Sequence, residues 1–240
     1  VIGGSDVDDE AARPHQMAGG DQLANGDLVG DVVEDVAQPL AIGDGDPLDT
    51  TGPLRPRFGA LYIYKVIPSQ DPASDHPWLD VGFHIAACVP LTGLADPQPG
   101  QLVTGQKQPD GTFTFAPVGA STQRYTYVAR LDRIIDGDTF VGLASPGVGV
   151  AALDLRFRLR GIDTLELNTL AGRNARRFVD DALGRVAFVI VRTHQTDSFG
   201  RYLADLRYLP GEPDPEVVRA KGLYLNRQLL DERLARPFPG

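Results

Sequence analysis

Apolar and polar positions alternate most regularly in the second half of the chain, residues 121–240. Their spacing predicts strands over 125–135, 139–143 and 155–162, a helix over 171–183 that ends at Gly184, and strands over 186–191 and 202–208. A last helix carries leucines at 225, 229, 230 and 234. Five strands with a helix between the third and the fourth are typical of an OB-type Greek-key barrel. We therefore expect a mainly β fold with packed helices, of the α+β class.

The third predicted strand has two chemically different faces. Its apolar positions 155, 157 and 159 alternate with arginines at 156, 158 and 160, which predicts one buried face and one cationic face. Apart from Arg158, we interpret the arginines of this region as solvated side chains, with contacts to a nucleic-acid backbone as a secondary possibility. They are Arg156, Arg160, Arg173, Arg176 and Arg177.

The first half of the chain divides into two parts. Residues 1–56 are acidic and rich in glycine, so we expect disorder. Residues 57–120 contain apolar runs at 61–67, 81–89 and 112–118, which predict a small β-rich region of unknown role. Its single cysteine, Cys88, is expected to be a buried structural residue. Residues 121–240 form the predicted barrel domain.

The charge of the chain changes sign halfway along. Residues 1–120 carry 17 acids against 5 bases, a balance of −12, whereas residues 121–240 carry 15 acids against 18 bases, a balance of +3. This modest positive excess favours a local phosphate site over a long electrostatic track. No segment has the length of a membrane span and no signal peptide is visible, so a cytoplasmic location is the default expectation and secretion would need a processed or partial N-terminus.

Five charged residues of the second half have types suited to cutting a phosphodiester bond. Three carboxylates can hold a hard cation and activate a water, and two guanidiniums can bind the phosphate. Because the set contains only oxygen ligands, Ca²⁺ is the expected cation, with Mg²⁺ or Mn²⁺ possible, and zinc is disfavoured. The five are Asp138, Arg158, Asp163, Glu166 and Arg201. Each alone also fits a turn former or a surface ion pair, but together they favour a site at one rim of the barrel.

Three separated motifs resemble the staphylococcal nuclease (thermonuclease) family over 128–236. They are the DGDT sequence at 136–139, RLRGIDTLE at 158–166 and FGRYLA at 199–204. The resemblance implies an OB-type nuclease that hydrolyses DNA and possibly RNA with low sequence specificity, with single-stranded or frayed substrate preferred. It also implies cleavage at the P–O5′ bond, which leaves 3′-phosphate ends.

The resemblance also implies a role for each matching residue. Asp138 and Asp163 would bind Ca²⁺ through their side chains and Thr164 through its backbone carbonyl, with Asp136 supporting them from behind. Glu166 would be the general base or orient the attacking water, and Arg158 and Arg201 would bind the scissile phosphate. The chain departs from the family's pattern at Leu165, which replaces a proline, and at Ser198 and Phe199, which replace a lysine and a tyrosine.

Two alternatives stay open from the sequence. The domain would instead be a non-catalytic OB-fold module that binds nucleic acid or protein, although such relatives usually lose the carboxylates and arginines that are all present here. A further hypothesis is that acidic residues 1–50 cover the arginine site as a phosphate mimic. Oligomeric state is not predicted.

Overall fold

The computed structural model describes residues 54–56 and 58–238, and within them residues 63–117 form an antiparallel sheet. Its five strands are arranged in the order β3-β2-β1-β4-β5. Their bounds are β1 Ile63–Ile67, β2 Trp78–Gly82, β3 Ile85–Ala87, β4 Leu102–Lys107 and β5 Phe113–Pro117. The sequence predicted a β region here but missed β4, where one of the inward positions is Gly105. A Cβ at Gly105 would meet the rings of Tyr64 and Phe115, so this position is small because aromatic side chains fill the space above it.

The second half forms a closed five-stranded barrel. Its elements are β6 Thr126–Ile134, β7 Thr139–Gly147, β8 Val150–Leu159, β9 Ile162–Thr164, α1 Leu170–Leu183, β10 Val189–Thr196 and β11 Tyr202–Tyr208. Strands pair in the order β10-β6-β7-β8-β11, and β11 pairs back onto β10 to close the ring. The β8–β11 pairing is parallel and the others are antiparallel. The described chain is thus mainly β with a few helices, which is consistent with the expected OB-like architecture.

The C-terminal elements pack around this barrel. They are α2 Pro215–Lys221, β12 Leu223–Tyr224, α3 Leu225–Asp231 and β13 Ala235–Pro237. Helix α2 was not predicted; its N-cap is Asp214, whose carboxylate accepts a hydrogen bond from the Glu216 amide. Strand β13 pairs with the short β9, so the end of the chain lies beside the 162–164 segment. None of the helices in the described part of the chain has the length and apolar character needed to span a bilayer.

Several predicted boundaries need correction. The strand predicted over 139–143 continues to Gly147 as β7, and the strand predicted over 155–162 begins earlier, at Val150, as β8. The tight turn between them has positive φ at Val148 and Gly149. The strand predicted over 186–191 is displaced to Val189–Thr196. The last helix ends at Asp231, before Leu234.

The two sheets interlock through the tips of two hairpins. Phe83, in the β2–β3 turn, is 7% exposed and belongs to the barrel core, where its ring lies 4.5 Å from Tyr127 and 5.2 Å from Tyr202. In return, Val148 from the β7–β8 turn packs into the core of the small sheet. The Tyr64 hydroxyl adds a 2.7 Å hydrogen bond to the Pro146 carbonyl. The small sheet therefore supports the barrel directly, next to the strand that follows Arg201.

Two predictions about single residues are wrong. Arg160 is 6% exposed, because its guanidinium is hydrogen-bonded to the fully buried carboxylate of Asp205. Cys88 is exposed instead of buried, since it follows the last residue of β3. Disorder was predicted over residues 1–56, of which the structure describes only 54–56, and the covering of the site by residues 1–50 lies wholly outside the described residues. The division of the chain at 56 and 120 stays a prediction.

We predict that Phe83→Ala lowers the free energy of unfolding by about 3–5 kcal/mol, because it leaves a cavity beside the rings of Tyr127 and Tyr202. Chemical denaturation measures this loss. His84→Ala is the matched control, since His84 shares the same turn and the same positive φ but is exposed. Equal losses for the two variants would contradict the interlock.

Candidate functional site

All of the predicted site residues line one cleft of about 990 Å³ at the rim of the barrel. They come from the β6–β7 turn, the end of β8, the 162–166 segment and the start of β11. The predicted residues in the cleft wall are Asp136, Asp138, Arg158, Asp163, Thr164, Glu166 and Arg201. The sequence therefore located a single concave site, although four separate segments build it.

The Asp138 carboxylate is the best-anchored group in the cleft. Its Oδ1 accepts hydrogen bonds from Arg158 Nη1 (2.9 Å) and Thr139 Oγ1 (3.0 Å). Its Oδ2 accepts from the amide (2.8 Å) and the hydroxyl (3.1 Å) of Thr164. Because Asp138 is only 2% exposed, these donors replace the water that it loses. One carboxylate thus joins the β6–β7 turn to β8 and β9.

Arg158 bridges the two predicted metal-binding aspartates. One terminal nitrogen lies 2.9 Å from Asp138, and the other donates to Asp163 Oδ1 at 2.8 Å. The second oxygen of Asp163 accepts from Arg236 Nε (3.0 Å) and Nη2 (2.7 Å). Arg158 was expected at the phosphate; here its guanidinium lies between acids, with Phe238 at 5.6 Å from it.

The two aspartates on this guanidinium have pKa values displaced in opposite directions. Burial raises the pKa of Asp138 above its ordinary value, and the Thr164 amide and Arg158 only partly offset it. Burial also acts to raise the pKa of Asp163, but hydrogen bonds from Arg236 and Arg158 hold it below its ordinary value. The difference follows from exposure, because the Asp163 side chain is 21% exposed and that of Asp138 is 2% exposed.

The backbone at Glu166 is fixed from the helix side. Its carbonyl accepts from the amide (2.9 Å) and the hydroxyl (2.7 Å) of Thr169, the N-cap of α1. Gly172 lies against the same carbonyl so closely that a Cβ would collide with it. The Glu166 side chain is exposed and has no ion-pair or hydrogen-bond partner among the described residues. These contacts fix the loop although it has Leu165 where the resembled motif has a proline. The Glu166 carboxylate is exposed to solvent.

The turn that carries Asp138 is held by its neighbours. Asp136 Oδ1 accepts from the Asp138 amide at 3.0 Å, so Asp136 supports the turn from within. A Cβ on Gly137 would lie 2.7 Å from the Cβ of Ala175 and 2.9 Å from Cγ2 of Thr164. Arg176 of α1 also donates to the Ile135 carbonyl at 2.9 Å. Glycine is therefore required here because the turn, α1 and β9 are in direct contact.

Arg201 faces the same cleft and is oriented by Asp197. Its Nε donates to Asp197 Oδ2 at 2.7 Å, and its amide donates to Oδ1 at 3.0 Å. Burial acts to raise the pKa of Asp197, but the hydrogen bonds from Arg201 and the Phe199 amide keep it low. The Phe199 ring is 78% exposed and lies 5.3 Å from the Arg201 guanidinium. A weak 3.4 Å contact from Arg201 to Thr139 connects it to the Asp138 cluster.

The donor types of the cleft fit a hard cation. Asp138 and Asp163 lie within reach of one guanidinium, so both carboxylates face a common point. Thr164 contacts Asp138 through its amide and hydroxyl, next to the carbonyl expected to bind metal. In the described ranges, no three His, Cys, Asp or Glu residues are grouped closely enough to form a metal site by themselves. The cation would therefore be held by two carboxylates, a carbonyl and water, with Arg158 as the present counter-charge.

Some cleft residues were missed by sequence reasoning. Arg133 and Arg156 line the same cleft, Arg236 holds Asp163 from the rim, and Phe238 lies beside Arg158. For Arg156 a signal existed, since residues two apart on a strand share a face and Arg158 was already assigned to the site. For Arg236 and Phe238 there was none, because only the pairing of β13 with β9 brings them there.

Comparisons with known proteins give no family for this chain. No protein-family model matches it, and no curated protein matches it.

A buried polar network lies beside the cleft on β10 and β11. The Asp205 carboxylate accepts hydrogen bonds from Arg160, from Tyr224 (2.6 Å) and from His194 Nε2 (3.1 Å). Burial lowers the pKa of His194 below its ordinary value, and the opposing effect of the Asp205 hydrogen bond and charge only partly offsets it. His194 is therefore neutral near pH 7 and donates its Nε2–H to Asp205. Since Gln195 and Thr196 line the cleft, this network anchors part of its wall.

We predict that the free energy of unfolding falls as the pH is lowered from 7 to 5. The folded state binds fewer protons at His194 than the unfolded state does, so stability present above pH 6.5 is lost as the pH falls toward the folded pKa. The His194 contribution is at most about 1.4 kcal/mol per pH unit. Denaturation curves measured between pH 7 and 5 give the free energy of unfolding at each pH. Its slope against pH should be smaller for His194→Gln and unchanged for His76→Gln, whose histidine is exposed. A parent with no such slope would contradict the assignment.

Proposed function

We propose that the cleft is the active site of a Ca²⁺-dependent phosphodiesterase that hydrolyses DNA, and possibly RNA, with low sequence specificity. The observation that carries this proposal is the Glu166 carboxylate, which has no partner among the described residues. It lies in the same cleft as Arg201 and as Asp138 and Asp163, which are joined by the Arg158 guanidinium. The motifs that resemble the thermonuclease family supply the same residues and support the same reaction. Mg²⁺ or Mn²⁺ is the alternative cation.

The strand order of the barrel supports this proposal at the level of the fold. We infer an OB-type Greek-key barrel, because β11 inserts between β8 and β10 and pairs in parallel with β8. Barrels of this kind bind single strands on one face and in the loops at its edge. The cleft lies at such an edge, between the β6–β7 turn and the β10–β11 turn.

Each residue of the cleft has a distinct part in the proposed reaction. Glu166, fixed at its backbone and free at its carboxylate, accepts a proton from a water or orients it for attack on phosphorus. Arg158 and Arg201 donate hydrogen bonds to the phosphate oxygens, where negative charge grows in the transition state. Asp138, Asp163 and the Thr164 carbonyl would hold the cation, with Asp136 behind them. When bound, the cation supplies Lewis-acid stabilisation of the phosphoryl oxygens.

The charge of the cleft favours a cation-dependent reaction. Its lining contains five acids, Asp136, Asp138, Asp163, Glu166 and Asp197, against four arginines at 133, 156, 158 and 201. Even with Arg236 at the rim, there is no positive excess to attract a polyanion. A bound divalent cation would give the cleft a positive excess. The carboxylates that would hold the cation and the negatively charged substrate therefore both call for it.

We predict that the parent protein cuts single-stranded and plasmid DNA in Ca²⁺ but not in chelator. Glu166→Gln should lower kcat by about 10²–10⁴-fold, because the proton acceptor is removed. Arg201→Lys should lower kcat by about 10²–10³-fold, because lysine cannot donate two parallel hydrogen bonds to a phosphate. Initial rates on a labelled strand measure both effects.

Glu232→Gln is the matched control, since Glu232 is exposed, unpaired at its side chain and outside the cleft. It should retain the parent's rate. A parent with no Ca²⁺-dependent cleavage, or variants that cut as fast as the parent, would reject the enzyme. Retained strand binding without cleavage would support the non-catalytic binding module in its place.

A further inference from the structure

The cleft continues past the predicted catalytic residues, along the outer surface of β6, β7 and β8. Arg133 and Arg156 line this extension, together with Val141. Neither arginine forms an ion pair or hydrogen bond with any residue in the described ranges. Even the acids nearest in sequence, Asp132 and Asp154, form no ion pair with them. Two uncompensated guanidiniums therefore face the same opening as the reaction centre.

The strand register places these arginines on one face. Arg133 pairs with Val141, and Val141 pairs with Arg156, so the three side chains project from the same side of the sheet. The neighbouring Phe140 points into the barrel core, which fixes this side as the outer one. Val141 is only 4% exposed although it lines the cleft, as expected if the aliphatic stems of the flanking arginines cover it.

The same register connects Arg156 to the catalytic arginine. Arg158 follows Arg156 by two residues on β8, so their Cα atoms are about 6.8 Å apart on a shared face. Arg133 lies two strands from Arg156, at about 10 Å. The three long side chains thus share one face of the sheet, with Arg158 and Arg156 next to each other along β8 and Arg133 across the strands from Arg156. A positively charged face of this kind can follow the backbone of a single strand.

The cleft arginines differ in what they are bound to. Arg158 is hydrogen-bonded to Asp138 and Asp163, and Arg201 to Asp197. Arg133 and Arg156 bind no carboxylate among the described residues, so neither has to break an ion pair before it binds an anion. A phosphate would therefore meet less competition at Arg133 and Arg156 than at the reaction centre.

We propose that Arg133 and Arg156 form a second phosphate subsite, which holds a phosphate of the substrate strand next to the one that is cut. This inference rests on the proposed nuclease function and deepens it. It makes the preferred substrate a flexible polynucleotide with at least two phosphates, because a single diester would not reach both sites. A single strand fits better than a rigid duplex, since it can follow the curved surface of the barrel.

The test compares Arg133→Gln/Arg156→Gln with the parent in strand binding and in cleavage. Binding of a fluorescein-labelled oligothymidine of about twelve nucleotides is followed by fluorescence anisotropy in Ca²⁺, with Glu166→Gln present in both proteins to prevent cutting. Between about 50 and 200 mM salt, the slope of log K against log salt should become shallower by about 0.7, the value for one lost phosphate contact on a single strand. The affinity at the low-salt end should fall about tenfold or more.

Cleavage is measured with Glu166 intact. The double variant should lose kcat/KM on the oligonucleotide, mainly through a higher KM, and keep the parent's rate on bis(p-nitrophenyl) phosphate, which has a single phosphate. Arg177→Gln is the control, since Arg177 is exposed and unpartnered on α1 outside the cleft. Arg133→Lys/Arg156→Lys should restore most of the binding, because charge is retained.

An unchanged salt slope in the double variant would overturn the subsite while leaving the nuclease intact. So would an equal change in Arg177→Gln, or an equal loss on the one-phosphate substrate. A parent that neither binds nor cuts the strand in Ca²⁺ would overturn the nuclease proposal, and the subsite with it.

Discussion

The hydrogen bonding of one buried carboxylate, Asp138, organises the rim of the barrel. Four donors from three segments meet on its two oxygens, and the same guanidinium that it binds also holds Asp163. A carboxylate at 2% exposure without partners would be strongly unfavourable, so these hydrogen bonds have to form together. Only another cation could replace the charge of Arg158 beside it. The turn, β8 and β9 are therefore fixed relative to one another by electrostatics as well as by packing.

Packing supplies the rest of the rim's rigidity. Gly137 and Gly172 allow α1 to contact the turn and the Glu166 loop at backbone distance, and Thr169 fixes the Glu166 carbonyl. On the other side, Phe83 of the small sheet contacts Tyr202, the residue after Arg201. The residues proposed for catalysis are thus held from both sides, while the Glu166 carboxylate itself is exposed and has no partner in the part of the chain that the structure describes. A catalytic group gains from this combination, because its position is set by the backbone and its reactivity is not reduced by a partner.

Much of the barrel could be predicted because its signals are local. The DGDT turn, the alternation of Phe157 with Arg158 and the helix that stops at Gly184 all depend on neighbours in sequence, and the structure confirms each element. What could not be predicted depends on distant contacts. Arg160 has the same pattern as Arg156, yet it is buried because Asp205, 45 residues later, lies opposite it. The sequence of strand β4 lacks a clear apolar alternation because Gly105 occupies an inward position. The burial of Phe83 in the barrel core could not be predicted, because it depends on the packing of the small sheet against the barrel.

The proposed nuclease function rests on three features of the cleft: acids gathered on an internal arginine, an exposed Glu166 carboxylate, and arginines that line the cleft. The most direct measurement is analysis of the ends of single-stranded DNA fragments made by the parent protein in Ca²⁺. The account predicts fragments with 3′-phosphate and 5′-hydroxyl ends, which polynucleotide kinase labels at the 5′ end without prior phosphatase treatment, and no fragments in chelator. Intact DNA in Ca²⁺, or fragments with 5′-phosphate ends, would contradict it.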